Sequence, residues 1–389
     1  MSEEKKIKEL VSEYSEEIMG LRETIHRHPE MGNKEYRTAE LIESYLGSLE
    51  IETERLTDTA VKGVLRGNCG GRTVALRADM DALPVDEATG AAFASEVSGV
   101  MHACGHDVHT AAVLGAARIL SEMRDHLDGT VVFLFQPDEE GNGGAERMIK
   151  EGCMEGVDAV FGAHVSPDLP VYRIGVRYGK FYAASDMFTV VVTGRSSHGA
   201  MREKGVDALG ADAEMVTALL KLPRQITDDK CVLTVGRMIS GTAGNIMPGS
   251  AEFEGIIRTL GPDTRAAMEK AFHRTVHEIA ERTGTEVSID YIHSYPGVVN
   301  NDEMTSLAEQ TAIALFGADK VCRIDEPIMT TEDFGYFIDE APGSFYHIGA
   351  GCEMPLHSES FLPQQDVVTK LAEMHAAVVM AYLKRRDRF

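Results

Sequence analysis

Two folding patterns share this chain, and one is enclosed by the other. In the first and last parts, short apolar runs such as 73–78 and 130–135 alternate with helical stretches, which is typical of buried strands in an α/β sheet. The middle part follows the order βαββαβ, which makes a compact ferredoxin-like unit by itself. The pattern therefore predicts a discontinuous α/β domain, residues 1–182 and 294–389, that carries an inserted domain, residues 183–293.

The composition of the chain limits the classes of partner that it can bind. The formal net charge of −24 repels phosphate backbones and anionic lipid, which argues against nucleic acid and membranes. The sequence shows neither a signal peptide nor a stretch of about 20 apolar residues, so we expect a cytoplasmic protein. The scattered cysteines favour free thiols, with one metal ligand among them, over a disulfide framework. They are Cys69, Cys104, Cys153, Cys231, Cys322 and Cys352.

The stretch MHACGHDVHT, residues 101–110, concentrates potential metal ligands. Cys104 and His106 lie two residues apart before a predicted helix, so an extended segment would point both side chains the same way. A thiolate and an imidazole are good ligands for zinc and similar divalent ions. Buried cysteines and core histidines are also common without a metal, and both interpretations stay open. We interpret Asp107 and His109 as helix caps or as partners that orient the ligands.

Acidic residues follow the strand at 130–135, in the stretch FLFQPDEEGNGGA. Asp138, Glu139 and Glu140 repel one another, so cations or protons must compensate if the three are buried. Adjacent side chains diverge, which lets Glu140 bind a metal while Glu139 faces the attacking water as general base. The alternative is a solvated acidic turn before a helix.

Two further acids and two histidines follow other predicted strands or lie in a loop. Asp79 and Asp81 come directly after a strand, where they bind a metal, hold a ligand histidine or only cap a turn. His164 ends the strand in FGAHVSP, and His357 lies in the loop MPLHSESF. Either histidine alone is more often structural. Together with Cys104, His106 and Glu140, these histidines make five candidate ligands, enough for two metals if one ligand bridges.

Five motifs, in this order and at these separations, resemble a family of dinuclear metallohydrolases. They are RADMDALP, MHACGHDVHTA, FQPDEEGNGGA, GAHVSP and TEDFGYF. The family includes hippurate hydrolase, indoleacetyl-amino-acid hydrolases, N-acetyldiaminopimelate deacetylase and bacterial N-acyl-amino-acid amidohydrolases, and it belongs with the aminoacylases and carboxypeptidase-like enzymes. The resemblance covers essentially the whole chain. It implies a zinc-peptidase-like catalytic domain with a mixed central sheet, and an inserted dimerisation or lid domain.

The resemblance also implies individual roles. Cys104 matches a ligand that bridges two divalent ions, zinc or manganese first, with cobalt or nickel also compatible with the donor set. Glu139 matches the general base, and Asp81 matches the acid that supports the metal site. Asp79 stands where other branches carry a ligand histidine. The terminal ligands implied by the resemblance are His106, Glu140, His164 and His357.

In the inserted domain, the resemblance adds three residues. His198 in SSHGA matches an imidazole that reaches an active site, typically across a dimer, and stabilises the tetrahedral oxyanion. Asn245 in GTAGNIMPG and Arg258 in GIIRTL match polar residues that hold the substrate. Composition and spacing do not single these residues out, and an ordinary turn or surface role is the alternative for each. A homodimer or homotetramer through the inserted domain is implied as well.

The sequence departs from the family pattern at two positions. Asp138 replaces the small residue that usually precedes the paired glutamates, and this extra acid can alter the metal preference or the pKa of Glu139. Val108 stands where glycine is common. Neither residue is a predicted ligand, so the assignment is kept.

The predicted reaction is metal-dependent hydrolysis of the amide bond of an N-acyl amino acid, which releases a carboxylic acid and the free amino acid. Within the enzyme class, the alternative is a dipeptidase or carboxypeptidase acting on small peptides. From another class, the alternative is a non-catalytic, metal-stabilised binding protein, although a scaffold would not need a base beside an open metal position.

Overall fold

The chain divides into two units in the computed structural model, which describes residues 3–68 and 70–385. The first unit comprises the described residues of Met1–Gly179, Asn300–Asp325 and Asp333–Phe389. The second unit comprises Lys180–Val299 and Glu326–Glu332. Cys69, one of the predicted free thiols, lies outside the described residues.

The secondary structure follows the alternation predicted from the sequence. The helices are α1 (Glu3–Glu13), α2 (Ser15–Arg27), α3 (Tyr36–Ser48), α4 (His106–Glu122), α5 (Ala145–Lys150), α6 (Ala208–Leu219), α7 (Leu222–Ile226), α8 (Pro262–Thr283), α9 (Asp302–Phe316), α10 (Gly335–Glu340) and α11 (Val367–Leu383). The strands are β1 (Glu52–Arg55), β2 (Val61–Arg66), β3 (Arg72–Asp79), β4 (Gly129–Gln136), β5 (Ala159–Ser166), β6 (Ile174–Val176), β7 (Gly179–Tyr182), β8 (Ala184–Thr193), β9 (Ser197–His198), β10 (Cys231–Ser240), β11 (Ile246–Met247), β12 (Ser250–Thr259), β13 (Glu286–His293), β14 (Val298–Asn300), β15 (Val321–Arg323) and β16 (Gly343–Gly349). Within the described residues, no helix is both long and apolar enough to span a membrane.

A mixed sheet forms the centre of the first unit, with the strand order β1-β2-β4-β3-β5-β16-β6-β15. Strands β4, β3, β5 and β16 are parallel neighbours, and β15 pairs parallel with β6. The pairs β1–β2, β2–β4 and β6–β16 are antiparallel. The predicted α/β class with a mixed central sheet is therefore confirmed. The carboxyl ends of β3, β4 and β5 meet at one edge, where open α/β sheets place their sites.

Helices cover this sheet because its central strands are apolar on both faces. Strand β5 is buried at every residue, and β4 at all but one, as expected for parallel strands between helical layers. Helices α4 and α11 pack against each other and against β3, and both are buried over most of their length. Helix α4 begins after Gly105, whose φ of +87° favours glycine and whose Cβ would lie 2.5 Å from Val165 Cγ2.

The sequence predicts one helix at the start of the chain, and this prediction is wrong because the structure has two. The apolar spacing from Ile7 to Ile25 predicts a single helix, but α1 and α2 are separated at Tyr14. The Ser15 hydroxyl donates a hydrogen bond to the backbone oxygen of Ser12 at 3.1 Å. Such a local bond competes with the helical ladder, and the apolar spacing carries no sign of it.

The second unit has its own sheet and its own core. Its antiparallel strand order is β10-β12-β8-β13, and its elements run β8-α6-β10-β12-α8-β13 along the chain, with α7 before β10. Phe188, Phe253, Met215 and Phe272 belong to a core in which the helices cover one face of the sheet. Strands β9 and β11 form a separate short ribbon, as do β7 and β14.

A buried ionic cluster ties α2 to the start of α4. Arg22 Nε donates to Asp107 Oδ2 at 3.0 Å, and His26 Nδ1 donates to the same oxygen at 2.9 Å. The other two guanidinium nitrogens of Arg22 donate to the backbone oxygens of Gln364 and Pro363 at 3.0 and 2.9 Å. Because Asp107 lies in the first turn of α4, the cluster fixes that turn relative to α2 and the loop before α11.

The charge on His26 predicts a pH-dependent contribution to stability. Burial lowers its pKa, but the charge and hydrogen bond of Asp107 outweigh burial and raise the pKa to about 9. The folded-state pKa lies above the unfolded value of about 6.5, so this stabilisation is complete below pH 6.5 and is lost as the pH rises through 9. We expect His26→Gln to lower the free energy of unfolding by about 3 kcal/mol at pH 6 and by much less at pH 10.

Denaturant unfolding of both proteins across this pH range measures the effect. His126→Gln, at an exposed histidine, serves as the control and should match the wild type. A difference between wild type and His26→Gln that does not change with pH would contradict the assignment.

Candidate active site

The five predicted metal ligands lie close together at the carboxyl edge of the first unit's sheet. Cys104 Sγ belongs to one group with His106 and His164, and to another with Glu140 and His357; within each group the ligand atoms lie within 4.8 Å of one another. The residues come from the segment just before α4 and its first residue, from the turn after β4, from β5 and from the loop after β16. The thiol of Cys104 is therefore shared by two sets of donors.

His106 is held so that one ring nitrogen faces the cluster. Its Nδ1 lies 2.9 Å from the backbone oxygen of Asp81 and 3.1 Å from Asp81 Oδ1, so Nδ1 carries the proton and donates to both. Its Nε2 is buried and has no hydrogen-bond partner among the described residues. Asp81 Oδ2 accepts the backbone N–H of Glu140 at 3.0 Å. One carboxylate thus orients two predicted ligands, as partners behind metal ligands do.

His164 presents its Nε2 to the same cluster. Its Nδ1 donates to the backbone oxygen of Val165 at 2.6 Å, which leaves the Nε2 lone pair facing Cys104 Sγ at 3.4 Å. Burial, together with the neighbouring imidazole of His109, lowers the pKa of His164 well below its ordinary value. His164 is therefore neutral, which is the form that binds a metal.

The electrostatics of the cluster favour an added cation. Burial, followed by the charges of Glu140 and Glu139, raises the pKa of the Cys104 thiol well above its ordinary value. Burial would lower the pKa of His106, but the surrounding acids, Asp79 first, raise it to about 10. The raised pKa of His106 reports excess negative charge around this buried donor, whereas burial is the main cause of the shift at Cys104. A divalent metal compensates that charge in place of protons, so the donor set fits a metal.

The candidate base and its neighbours occupy the turn after β4. Glu139 is 8% exposed, and one of its carboxylate oxygens lies within 4.8 Å of ligand atoms of His106 and Glu140. His357 Nε2 lies 3.0 Å from Glu140 Oε1, and this carboxylate raises the pKa of His357. The carboxylate of Asp138 instead accepts a hydrogen bond from Arg147 at 3.1 Å.

Asp79 and His109 lie beside the cluster, but both are engaged by other groups. Asp79 Oδ1 accepts His109 Nδ1–H at 2.7 Å, and Asp79 Oδ2 accepts Arg77 Nη1–H at 2.9 Å. His109 Nε2 accepts the backbone N–H of Val165 at 2.9 Å. These bonds use both ring nitrogens of His109, which therefore braces β3 and β5 and leaves no lone pair for a metal.

Sequence reasoning missed the buried arginines that surround the cluster. Arg77 donates to Asp79, to Gln136 Oε1 at 2.8 Å and to Asp333 Oδ1 at 2.7 Å, and so joins β3, β4 and the segment before α10. The sequence feature that could have revealed Arg77 is an arginine inside the otherwise apolar strand VALRAD. Its partner Asp333 lies in the motif TEDFGYF. Arg22 gave no comparable signal, since its partner Asp107 is 85 residues away.

The remaining predicted residues lie in the second unit. His198 and Asn245 are neighbours there, because the N–H of Gly199 donates to the backbone oxygen of Asn245 at 2.8 Å. Arg258 lies on β12, paired in register with Ser185 and Val232. Its Nη1 is buried without a hydrogen-bond partner in the part of the chain that the structure describes, and burial lowers the pKa of Arg258.

Comparison with known proteins gives consistent matches over most of the chain. Residues 75–381 match Peptidase family M20/M25/M40. The chain is 37% identical over 389 residues to thermostable carboxypeptidase 2 of Saccharolobus solfataricus, covering 97% of this chain and 98% of that protein. It is 40% identical over 301 residues to N-acyl-L-amino acid amidohydrolase of Geobacillus stearothermophilus, covering 76% and 81%. The crystal structure of Bacillus subtilis YXEP protein, described as a dinuclear metal binding peptidase from the M20 family, superposes with a TM-score of 0.85 at 31% identity, covering 96% and 99%.

Proposed function

The chain belongs to Peptidase family M20/M25/M40 and is a hydrolase of amide bonds, and we propose that it cleaves N-acyl amino acids into a carboxylic acid and a free amino acid. The observation that carries the proposal is the cluster around Cys104, in which two sets of metal-binding side chains share one thiol and Glu139 lies beside them. The Geobacillus relative named N-acyl-L-amino acid amidohydrolase supports the substrate class.

Two divalent metal ions per chain are part of the proposal. Cys104, as the shared donor, would bridge them, and the terminal ligands would be His106, Glu140, His164 and His357. The mixed set of thiolate, imidazole and carboxylate suits zinc or manganese and also accepts cobalt or nickel. When bound, such ions polarise the substrate carbonyl and lower the pKa of a water molecule.

Glu139 supplies the proton transfers of the proposed reaction. Its carboxylate takes a proton from the attacking water, whose oxygen forms the new bond to the acyl carbon. Glu139 then returns the proton to the leaving nitrogen as the C–N bond of the amide breaks. Asp81 keeps this geometry by bonding both His106 and the backbone of Glu140.

Three residues of the second unit are the proposed contacts to the substrate. His198 donates a hydrogen bond to the oxyanion of the tetrahedral intermediate. Arg258 binds the α-carboxylate, because a guanidinium matches a carboxylate with two parallel hydrogen bonds. Its buried Nη1 lacks a partner within the described residues, and a substrate carboxylate would satisfy it. Asn245 adds a polar contact to the substrate.

A carboxypeptidase is the second candidate, and a specific observation favours it. The Saccharolobus relative named thermostable carboxypeptidase 2 is 37% identical over almost the whole of both chains. Both reactions hydrolyse an amide next to a free carboxylate and use the same cluster. They differ in whether the acyl side is a small acid or a peptide.

The proposal also includes a homodimer, or a homotetramer built from two dimers, and a cytoplasmic location. Strand β10 lies at one edge of the second unit's sheet and exposes Val232, Met238 and Ile239. An edge strand with exposed apolar side chains pairs readily with another chain. The five described cysteines carry free thiols, as is usual in reducing compartments.

Release of free amino acid from a panel of substrates tests the function. The panel contains N-acetyl, N-benzoyl and N-indoleacetyl amino acids, dipeptides with a free amino group, and N-blocked dipeptides. Chelator-stripped protein is measured before and after addition of zinc or manganese. We expect hydrolysis only after a metal is returned, with the N-acyl amino acids cleaved fastest.

Faster release of the C-terminal residue from the N-blocked dipeptides would instead establish the carboxypeptidase. If no substrate is cleaved while two metals are bound, the proposed substrate class is wrong.

Removal of the proposed carboxylate contact should weaken substrate binding. We expect Arg258→Ala to raise KM for N-acyl amino acids about 10- to 100-fold, because a charge-assisted bond of roughly 1.5–3 kcal/mol is lost. The KM of Arg258→Lys should lie between those of the wild type and Arg258→Ala, since an ammonium keeps the charge but cannot make the paired bonds. Steady-state kinetics on the acid and on its α-carboxamide distinguish the effect, and an unchanged KM for the acid would refute the assignment.

A further inference from the structure

The turn that carries Glu139 and Glu140 is closed by the residue before them. The backbone oxygen of Asp138 accepts the N–H of Gly143 at 3.1 Å, so residues 138–143 form one closed turn. Asp138 has a φ of +57°, in the left-handed region that asparagine and aspartate tolerate better than other side chains. The chain direction at Asp138 therefore sets where the next two carboxylates lie.

The Asp138 carboxylate is buried and gathers three donors on one oxygen. Oδ2 accepts hydrogen bonds from Asn33 Nδ2 at 2.6 Å, from Arg147 Nη2 at 3.1 Å and from the backbone N–H of Asn142 at 3.3 Å. The residue is 4% exposed. These donors belong to three separate places: the segment before α3, helix α5 and the turn itself. One side chain thus joins them.

Two glycines pack against the other carboxylate oxygen. A Cβ added to Gly32 or to Gly141 would lie 2.2 Å from Asp138 Oδ1. Both positions therefore need glycine, because any side chain there would clash with the Asp138 carboxylate. In this chain the surroundings of position 138 are fitted to the acid, although the family pattern has a small residue there.

The backbone of Asp138 is anchored as well. Its N–H donates to Glu35 Oε1 at 2.9 Å, and Glu35 Oε2 accepts the hydroxyl of Thr59 at 3.0 Å. Glu35 is fully buried. Asp138 is thus held at its N–H, its carboxylate and its carbonyl, while the segment of residues 32–35 braces the turn from one side.

We propose that Asp138 is a positioning residue, whose buried carboxylate holds the 138–143 turn so that Glu139 and Glu140 keep their places at the metal cluster. The proposal rests on the proposed amide hydrolysis. Asp138 belongs to none of the potential metal-binding groups among the described residues, and its Oδ2 accepts three hydrogen bonds from protein donors. The extra acid of this sequence therefore acts through its two neighbours.

Three substitutions separate the carboxylate from the backbone conformation. Asp138→Gly keeps the left-handed conformation but removes the carboxylate, Asp138→Asn keeps the shape but replaces one acceptor with a donor, and Asp138→Ala removes both features. Asp168→Asn, at an exposed acid just after β5, is the matched control. With metal saturating, we expect Asp138→Ala and Asp138→Gly to lower kcat about 10- to 100-fold while KM changes less than about twofold. The kcat of Asp138→Asn should lie between those of these variants and that of the wild type, and so should its affinity for Mn²⁺.

Mn²⁺ affinity, measured by calorimetry on the same proteins, gives a readout that does not depend on activity. Because Glu140 is a proposed ligand, we expect about 10-fold weaker Mn²⁺ binding in Asp138→Ala and no change in Asp168→Asn. Wild-type kcat and Mn²⁺ affinity in Asp138→Gly would overturn the role of the carboxylate. If Asp138→Ala fails to fold, the same two measurements on Asp138→Asn decide. If the wild type cleaves no amide, the proposed function fails, and the Mn²⁺ affinities still test the positioning role.

Discussion

Buried negative charge at the carboxyl edge of one sheet is the constraint on which the first unit depends. Four of the buried acids around the cluster are paired with arginines. Arg77 pairs with Asp79 and Asp333, Arg22 with Asp107, and Arg147 with Asp138. In contrast, Asp81 and Glu140 face the imidazoles of His106 and His357. Because burying a carboxylate is costly unless it is paired, the acids bound to arginines hold the structure, whereas Asp81 orients His106 and Glu140 stays available as a proposed metal ligand.

The family, the α/β class with a mixed sheet and the alternation of strands and helices could be predicted from the sequence, and all are confirmed. They follow from local patterns, namely apolar runs with polar residues at their ends, and from motifs of contiguous residues. The predicted ligands could be placed at one edge for the same reason, since parallel strands end together. Their individual roles stay predictions.

The pairings between distant residues could not be predicted in this way. Arg77 and Asp333 are 256 positions apart, and Arg22 and Asp107 are 85 apart, so no local pattern links them. The contacts of Asp138 could not be predicted either, because an extra acid beside two glutamates suggests an effect on the metal or on the base. Only the fold shows that Asn33 and Arg147 donate hydrogen bonds to its carboxylate. Folding creates these contacts by bringing separate segments together.

In the proposed active site, the cluster holds two metals and Glu139 is the base beside them. Metal content per chain and turnover, measured on the same sample of Glu139→Gln, test this arrangement. We expect about the same two metals per chain as in the wild type and a turnover about 100- to 10,000-fold lower, because the ligands stay while the proton acceptor is lost. Wild-type turnover in a variant that retains its metals would contradict this arrangement.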